Sequence, residues 1–317
     1  MTNTRPPDPS PHDTAPPVGA PRDLGGGIRA ILAPNPSPMT YWGTNTYLLG
    51  QRRLAVIDPG PDDPAHLAAI LGALGPGQSI SHILVTHAHL DHSPLARRLA
   101  VETGAPVLAY GGPREGRSAV MARLAAAGEI GGGEGVDARF APDVALSDGE
   151  EVSGDGWRIT AQWTPGHFCN HMCFQWGGDM FSGDLVMGWA STLISPPDGD
   201  LTQFHASCAR LAAAAPARLL PGHGAPVADP AARIAWLVAH RNAREAAILE
   251  RLAQGPADAT TLARRIYTDT PPALMPAAAR NVLAHLLDLM QKSRVSALSP
   301  LSRTTRFALR DTAMPDT

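Results

Sequence analysis

The sequence predicts an α+β protein in two parts, a strand-and-helix domain over residues 25–228 and a small helix-then-hairpin domain over 229–310. Three observations carry this. Short apolar runs bounded by Gly, Pro, Asn or Asp fill the first part, as strands do. Segments with apolar residues at helical spacing alternate with the later runs. After Asp229 the pattern changes to three helical segments and a β-leaning end. With 317 residues, 44% apolar and 17% charged, the chain can bury a sizeable core, which excludes a disordered chain and a small disulfide scaffold.

Residues 1–24 hold seven prolines and almost no large apolar side chain. They contain no hydrophobic stretch of a secretory signal, so a disordered Pro-rich tail is expected, as it is for 311–317, and the chain reads as cytoplasmic. No run approaches the roughly 18 uncharged apolar residues of a membrane span. Cys169, Cys173 and Cys208 are too few and too odd in number for a bridged framework, which points to reduced thiols.

Strands are expected at 28–32, 47–49, 54–57 and 80–85, then at 157–163, 171–176, 180–182 and 218–220. Helices are expected at 64–74, 93–102 and 203–214. The Gly-rich stretch 111–135 reads as mobile and without a legible function. Asp229-Pro230 opens a helix, because the carboxylate can cap free amides and proline suits the first turn. That helix should end near residue 254, before Gly255-Pro256. Helices at 258–267 and 276–292 and a β-hairpin within 295–309 complete the order found in winged-helix modules.

Net charge is −3, which excludes a protein that simply coats nucleic acid. The charge is uneven, however. Residues 231–310 carry twelve basic groups against five acidic ones, a local +7. Phosphate contacts need such groups, although a solvated arginine face would look the same.

The chemistry is concentrated in Thr86-His87-Ala88-His89-Leu90-Asp91-His92, directly after an apolar run. Four ligand-type side chains leave one strand end within six residues. His87 and His89, two apart, point the same way in an extended segment and can share one metal. Asp91 and His92 lie past the turn and can serve a neighbouring ion. Burying so many unpaired ionisable groups would otherwise be costly. Three more apolar strands end on a ligand in a Gly/Pro turn: Trp163-Thr164-Pro165-Gly166-His167, Phe181-Ser182-Gly183-Asp184 and Leu220-Pro221-Gly222-His223. Imidazole with carboxylate suits zinc, iron or manganese; Cys173 reads as a small buried hydrophobe rather than a ligand. The remaining histidines (His12, His66, His82, His205, His285) carry no role.

These motifs, with Asp58 in Ile57-Asp58-Pro59-Gly60, resemble the metallo-β-lactamase fold superfamily over residues 25–228. The resemblance implies a four-layer αββα sandwich with a site along one sheet edge. It implies two divalent ions, zinc first. His87, His89 and His167 would hold one; Asp91, His92 and His223 the other; Asp184 would bridge them. Asp58 would orient a ligand histidine or the turn beneath the site. Asn45 is either a hydrogen-bond donor near the site or a turn former, and His171 either supports the site or is simply packed.

The segments Asn35-Pro36-Ser37-Pro38-Met39-Thr40, Gly43-Thr44-Asn45-Thr46-Tyr47-Leu48, His240-Arg241-Asn242-Ala243-Arg244-Glu245 and Asn281-Val282-Leu283-Ala284-His285-Leu286 are similar to the β-lactamase-like protein 2 family, whose fold includes a winged-helix-like domain. A β-lactamase is disfavoured, since those enzymes generally lack a carboxylate at the position of Asp184. The 39 residues from Asp184 to His223 leave no room for the domain inserted in mRNA-processing nucleases. Phe168-Cys169-Asn170 departs from the family's polar pattern and would reshape the substrate wall.

The resemblance thus implies a binuclear hydrolase in which a hydroxide between the ions attacks and Asp91 orients it or takes its proton. Single-stranded RNA is the first substrate to test, since animal relatives are endoribonucleases, with Arg241 and Arg244 as candidate contacts. The alternatives are a thioester hydrolase of the glyoxalase II type and a mononuclear iron persulfide dioxygenase. The C-terminal domain could also serve as a dimerisation arm.

Overall fold

The computed structural model describes residues 14–310, so the tails expected at 1–13 and 311–317 lie outside the described residues. Within 14–24 the expectation of a tail is corrected. Val18 bridges Leu32, and strand β1 (Arg22–Gly25) pairs with β2 (Ile28–Leu32). A half-exposed edge strand carries no apolar run by which to recognise it.

The first sheet continues with β3 (Asn45–Leu49), β4 (Arg53–Ile57), β5 (Ser79–Leu84), β6 (Val107–Ala109) and β7 (Val144–Ala145), in the order β1-β2-β3-β4-β5-β6-β7. Strands β1 to β4 are antiparallel neighbours, whereas β4 to β7 run parallel. Parallel neighbours require crossovers. Helix α1 (Pro64–Gly72), capped by the Asp63 carboxylate, joins β4 to β5, and α2 (Leu95–Thr103) joins β5 to β6. Helix α3 (Ala119–Ala127) lies between β6 and β7, inside the stretch expected to be mobile. Its Ser118 cap and Gly128 stop are local signals that the surrounding glycines obscured.

The second sheet holds β8 (Glu151–Ser153), β9 (Arg158–Trp163), β10 (Met172–Trp176), β11 (Asp179–Gly183) and β12 (Arg218–Pro221), in the order β12-β11-β10-β9-β8. Only the β11–β12 pair is parallel, and α4 (Leu201–Ala214) makes that crossover. Strands β6, β7 and β8 have two or three residues each, too few for periodicity to register.

Period-two alternation sorts the side chains into layers. Val56 packs outward with Ile31 and Leu48 against Leu67 and Ile70 of α1 and Leu95 and Leu99 of α2. Its neighbour Ile57 faces inward, with Tyr47 and Leu84, against Phe174, Phe181 and Leu220 of the second sheet. The outer face of that sheet, Cys173, Met180 and Leu219, meets Phe204 and Leu211 of α4 and Ile234 and Leu237 of the long helix α5 (Pro230–Leu252). The order is helix, sheet, sheet, helix, the four-layer sandwich. Each fully buried Leu or Ile contributes about 1.5–3 kcal/mol.

The C-terminal part adds β13 (Ala257–Asp258), α6 (Ala259–Ile266), α7 (Met275–Gln291), β14 (Val295–Ala297) and β15 (Arg306–Leu309), with strand order β13-β15-β14. Leu262, Leu286, Leu289 and Phe307 form its centre, and Met121 and Leu124 of α3 join the same cluster. Ala284 of α7 packs with the residues under the second sheet. The winged-helix part is therefore continuous with the sandwich. Among the described residues no helix is long and apolar enough to cross a membrane.

Candidate metal centre

Strands β5, β9, β11 and β12 lead to one edge of the sandwich, and the candidate ligands lie in the loops that follow their ends. Three overlapping groups have ligand atoms within 4.8 Å of one another: His87, His89 and His167; His87, His92 and Asp184; Asp91, His92 and His223. His89 Nδ1 is 2.9 Å from His87 Nε2 and 3.1 Å from His167 Nε2. The Nε2 atoms of His92 and His223 are 3.2 Å apart. Asp91 Oδ2 lies 3.1 Å from His223 and 3.4 Å from His92. Asp184 sits among all of them, with Oδ1 3.6 Å from His92 Nε2 and Oδ2 3.4 Å from His223 and 3.8 Å from His167. All seven predicted residues converge.

The outer partners assign the ring tautomers. Outward Nδ1 atoms donate to the Gly43 carbonyl from His223 (3.0 Å) and to the Leu193 carbonyl from His167 (2.7 Å). His92 Nδ1 donates to Asp58 Oδ2 at 2.9 Å. His87 Nδ1 donates to Thr86 Oγ1, which in turn donates to Asp58 Oδ2. Every Nε2 of these four rings is therefore turned inward as a lone pair or a seat for a second proton. Burial first, and then neighbouring imidazoles, depress His87 and bring His89 to about 3, so these rings are neutral, as imidazole metal ligands must be. Burial opposes charge on His223 too, but the Asp184 and Asp91 carboxylates outweigh it and raise it to about 9.

Divalent cations fit this arrangement. Inward lone pairs about 3 Å apart repel unless something positive lies between them, and Asp184 Oδ1 is buried with no hydrogen-bond partner. The donor set is imidazole and carboxylate. Cys169 and Cys173 are buried thiols outside all three groups.

The supporting residues explain why these loops hold their shape. Asp58 accepts from the Thr86 N–H at 2.7 Å as well as from His92 and the Thr86 hydroxyl. One carboxylate thus orients two of the rings and the loop between them. The ring of His171 accepts the backbone N–H of Asp184 at 3.2 Å, which needs a neutral imidazole; burial holds it at about 3. Gly222 has no substitute, because a Cβ there would come within 2.5 Å of Asp184 Oδ1 and 2.6 Å of His92 Cε1.

Three sequence expectations are corrected, those for Asn45, Arg241 and Phe168-Cys169-Asn170. Asn45 is not free to donate to a substrate: its amide donates to the carbonyls of Pro221 and Gly224, anchoring both sides of His223. Arg241 is neither a solvated charge nor a phosphate contact. It is 1% exposed, donating to the Thr192 carbonyl and to Asn281 Oδ1. Arg244 lies over the Tyr267 ring, 4.7 Å from its centre. Phe168-Cys169-Asn170 is buried behind the imidazoles rather than on a substrate wall: Phe168 packs 4.6 Å from the His89 ring, and Asn170 binds the Ala88 N–H. Sequence reading missed Thr86, Asn170 and the loop 185–195. Thr86 stood inside the motif, but main-chain carbonyls such as Leu193 leave no trace in a sequence.

The metallo-beta-lactamase superfamily profile matches residues 39–223, and that of the beta-lactamase associated winged helix domain matches 259–300. The chain belongs to the metallo-beta-lactamase superfamily. At a finer level it is similar to the Beta-lactamase-like protein 2 homolog of Drosophila melanogaster, 32% identical over 277 residues, covering 84% of this chain and 88% of that protein. The Atrochrysone carboxyl ACP thioesterase of Aspergillus terreus is 28% identical over 77% of this chain and 68% of its own length. In fold, a beta-lactamase domain protein from Burkholderia ambifaria superposes with a TM-score of 0.78 at 24% identity, over 94% of this chain and 96% of its own. The expected family, sandwich and winged helix are borne out.

Proposed function

We propose that this superfamily hydrolase is a dinuclear metal enzyme that cleaves an ester or thioester with an apolar acyl group. The supporting observation is the mouth of the centre. His167 and Asp184 lie on a cavity of about 260 Å3 lined by Pro38, Met39, Met187, Trp189 and Leu274, with no Lys or Arg among its described lining residues. Apolar walls around a few polar groups suit an acyl chain and leave a phosphodiester backbone without counter-charges. The name of the thioesterase relative agrees with this choice.

The seven side chains would hold two divalent cations, zinc first with iron or manganese as alternatives; when bound, these supply an activated water at neutral pH and polarise the scissile carbonyl. The remaining work falls to the chain. Asp91 is 27% exposed, against 9% for Asp184, so it is the carboxylate placed to orient an attacking water and take its proton. Burial pushes Asp91 up, but His92 and His223 hold it well below the usual carboxylate range, so it is ionised and can accept a hydrogen bond from that water. Asp58, through His92 and Thr86, keeps the rings in the required tautomers.

RNA cleavage stands as the second reading, favoured by exposed Arg264 and Arg265 at the end of α6. Acyl thioesters of increasing chain length, S-lactoylglutathione and unstructured RNA, each assayed with and without chelator, decide between them. Chelator-sensitive RNA products without thioester turnover would sink the acyl reading. One iron per chain instead of two ions would point to the dioxygenase.

A further inference from the structure

A second cavity, of about 400 Å3, shares Trp189 with the mouth as a lining residue. Its walls are aromatic. Tyr41 stacks on Trp42 and on Trp189, with ring centroids 4.7 and 4.8 Å away and planes within 22° and 9°. Trp236 of α5 lines it as well, so three of the chain's six tryptophans border one cavity. All three are partly exposed, which core packing does not call for. Tyr41 sits in the left-handed region at φ 55°, held there by its N–H on the Ser37 carbonyl at 2.8 Å. The cavity abuts the centre, because a Cβ on Gly224, next to His223, would come within 2.8 Å of Trp189.

Two of the side chains that line this cavity carry polar atoms left without a partner. Trp189 Nε1 and Arg233 Nη1 are buried donors with no partner. Arg233 is 7% exposed; its Nε and Nη2 are already committed to the carbonyls of Met187 (2.6 Å) and Ala190 (2.7 Å), and its guanidinium lies 4.5 Å from the Trp236 ring centre. The unmet demand is for acceptors, not for donors.

We infer that this cavity binds a planar aromatic ring system carrying a carbonyl or hydroxyl oxygen, as the distal part of the substrate. The ring stacks on the aromatic wall, and its oxygen accepts from the unpartnered N–H groups. A nucleotide does not match, since the buried Arg233 is the one cation among the described lining residues and Asp229 is anionic. Calling the occupant part of the substrate rests on the acyl-ester reading; ring binding itself does not.

Calorimetric titration of the metal-loaded full chain with 2-naphthol, and with its saturated, non-planar counterpart decahydro-2-naphthol, tests this. Saturable one-to-one binding of 2-naphthol, about tenfold tighter than the saturated alcohol, is expected. Trp236→Ala should weaken it about tenfold while metal content is retained, and Trp236→Phe, which keeps a ring and protects the fold, should weaken it less. Equal affinity for both alcohols, or binding unchanged in Trp236→Ala, overturns the assignment. Because no turnover is read, naphthol binding without ester hydrolysis would remove the acyl reading and leave the ring site standing.

Discussion

Arg241 donates from a buried guanidinium to the carbonyl of Thr192, 49 residues earlier in the chain. The Thr192 hydroxyl shares its one proton between the carbonyls of Asp184 and Leu185, and the next carbonyl, that of Leu193, holds His167. Asn281 of α7 accepts from Arg241 and from the Ile194 N–H, and Arg280 reaches Ser195. Helices α5 and α7 therefore grip the loop that follows Asp184 and holds His167.

Arg241→Ala should accordingly loosen the metal centre from a distance. It leaves a buried carbonyl unpaired and a hole, costing about 2–4 kcal/mol of stability. Zinc affinity, measured by competition with a chelating dye, should fall with it. Arg241→Lys, which keeps one donor, should recover part of both. Unchanged affinity in a folded Arg241→Ala protein would mean the loop holds itself.

Asp58→Asn keeps the side chain's size but cannot accept from Thr86 and His92 together. Metal affinity should drop about 10–100-fold, as for other partners of ligand histidines. Dialysis against graded chelator followed by metal analysis reads this directly.

Asp91→Asn should lower kcat by about 10²–10⁴-fold, with a smaller change in KM, because the lost group handles the proton rather than the acyl chain. A variant that turns over like the parent would leave Asp91 a ligand only.

Removing the cations should lower the midpoint of thermal unfolding by roughly 10 °C, since an ion bound only by the folded chain stabilises it by mass action. Scanning calorimetry with and without chelator, then with zinc restored, tests reversibility.

The stability of the fold should also fall in acid through His66, which is in none of the three candidate ligand groups. Burial lowers this histidine to about 4, and its ring donates to the Thr46 hydroxyl. Its folded pKa lies below the unfolded value of 6.5, so the unfolded chain binds the proton first as pH falls. Its contribution is therefore complete above about 6.5 and is lost toward 4, by at most about 1.4 kcal/mol per pH unit. His66→Gln should flatten the denaturation midpoint across that window; an unaltered slope would assign the acid sensitivity elsewhere.

The sequence by itself determined the family, the sandwich and the seven converging side chains. Ligand chemistry needs particular residue types at strand ends, and strand ends are marked by Gly, Pro and apolar runs that survive in one dimension. Helices α5, α6 and α7 were legible for the same reason, through Asp229-Pro230 and apolar periodicity. Only the tertiary structure decided what surrounds the centre. Arg241 and Asn45 were candidates for facing a substrate, each with a plainer alternative, yet they hold main-chain carbonyls, and a carbonyl is the same at every residue. The aromatic cavity of Tyr41, Trp42, Trp189 and Trp236 draws on segments almost two hundred residues apart, and folding alone sets that distance.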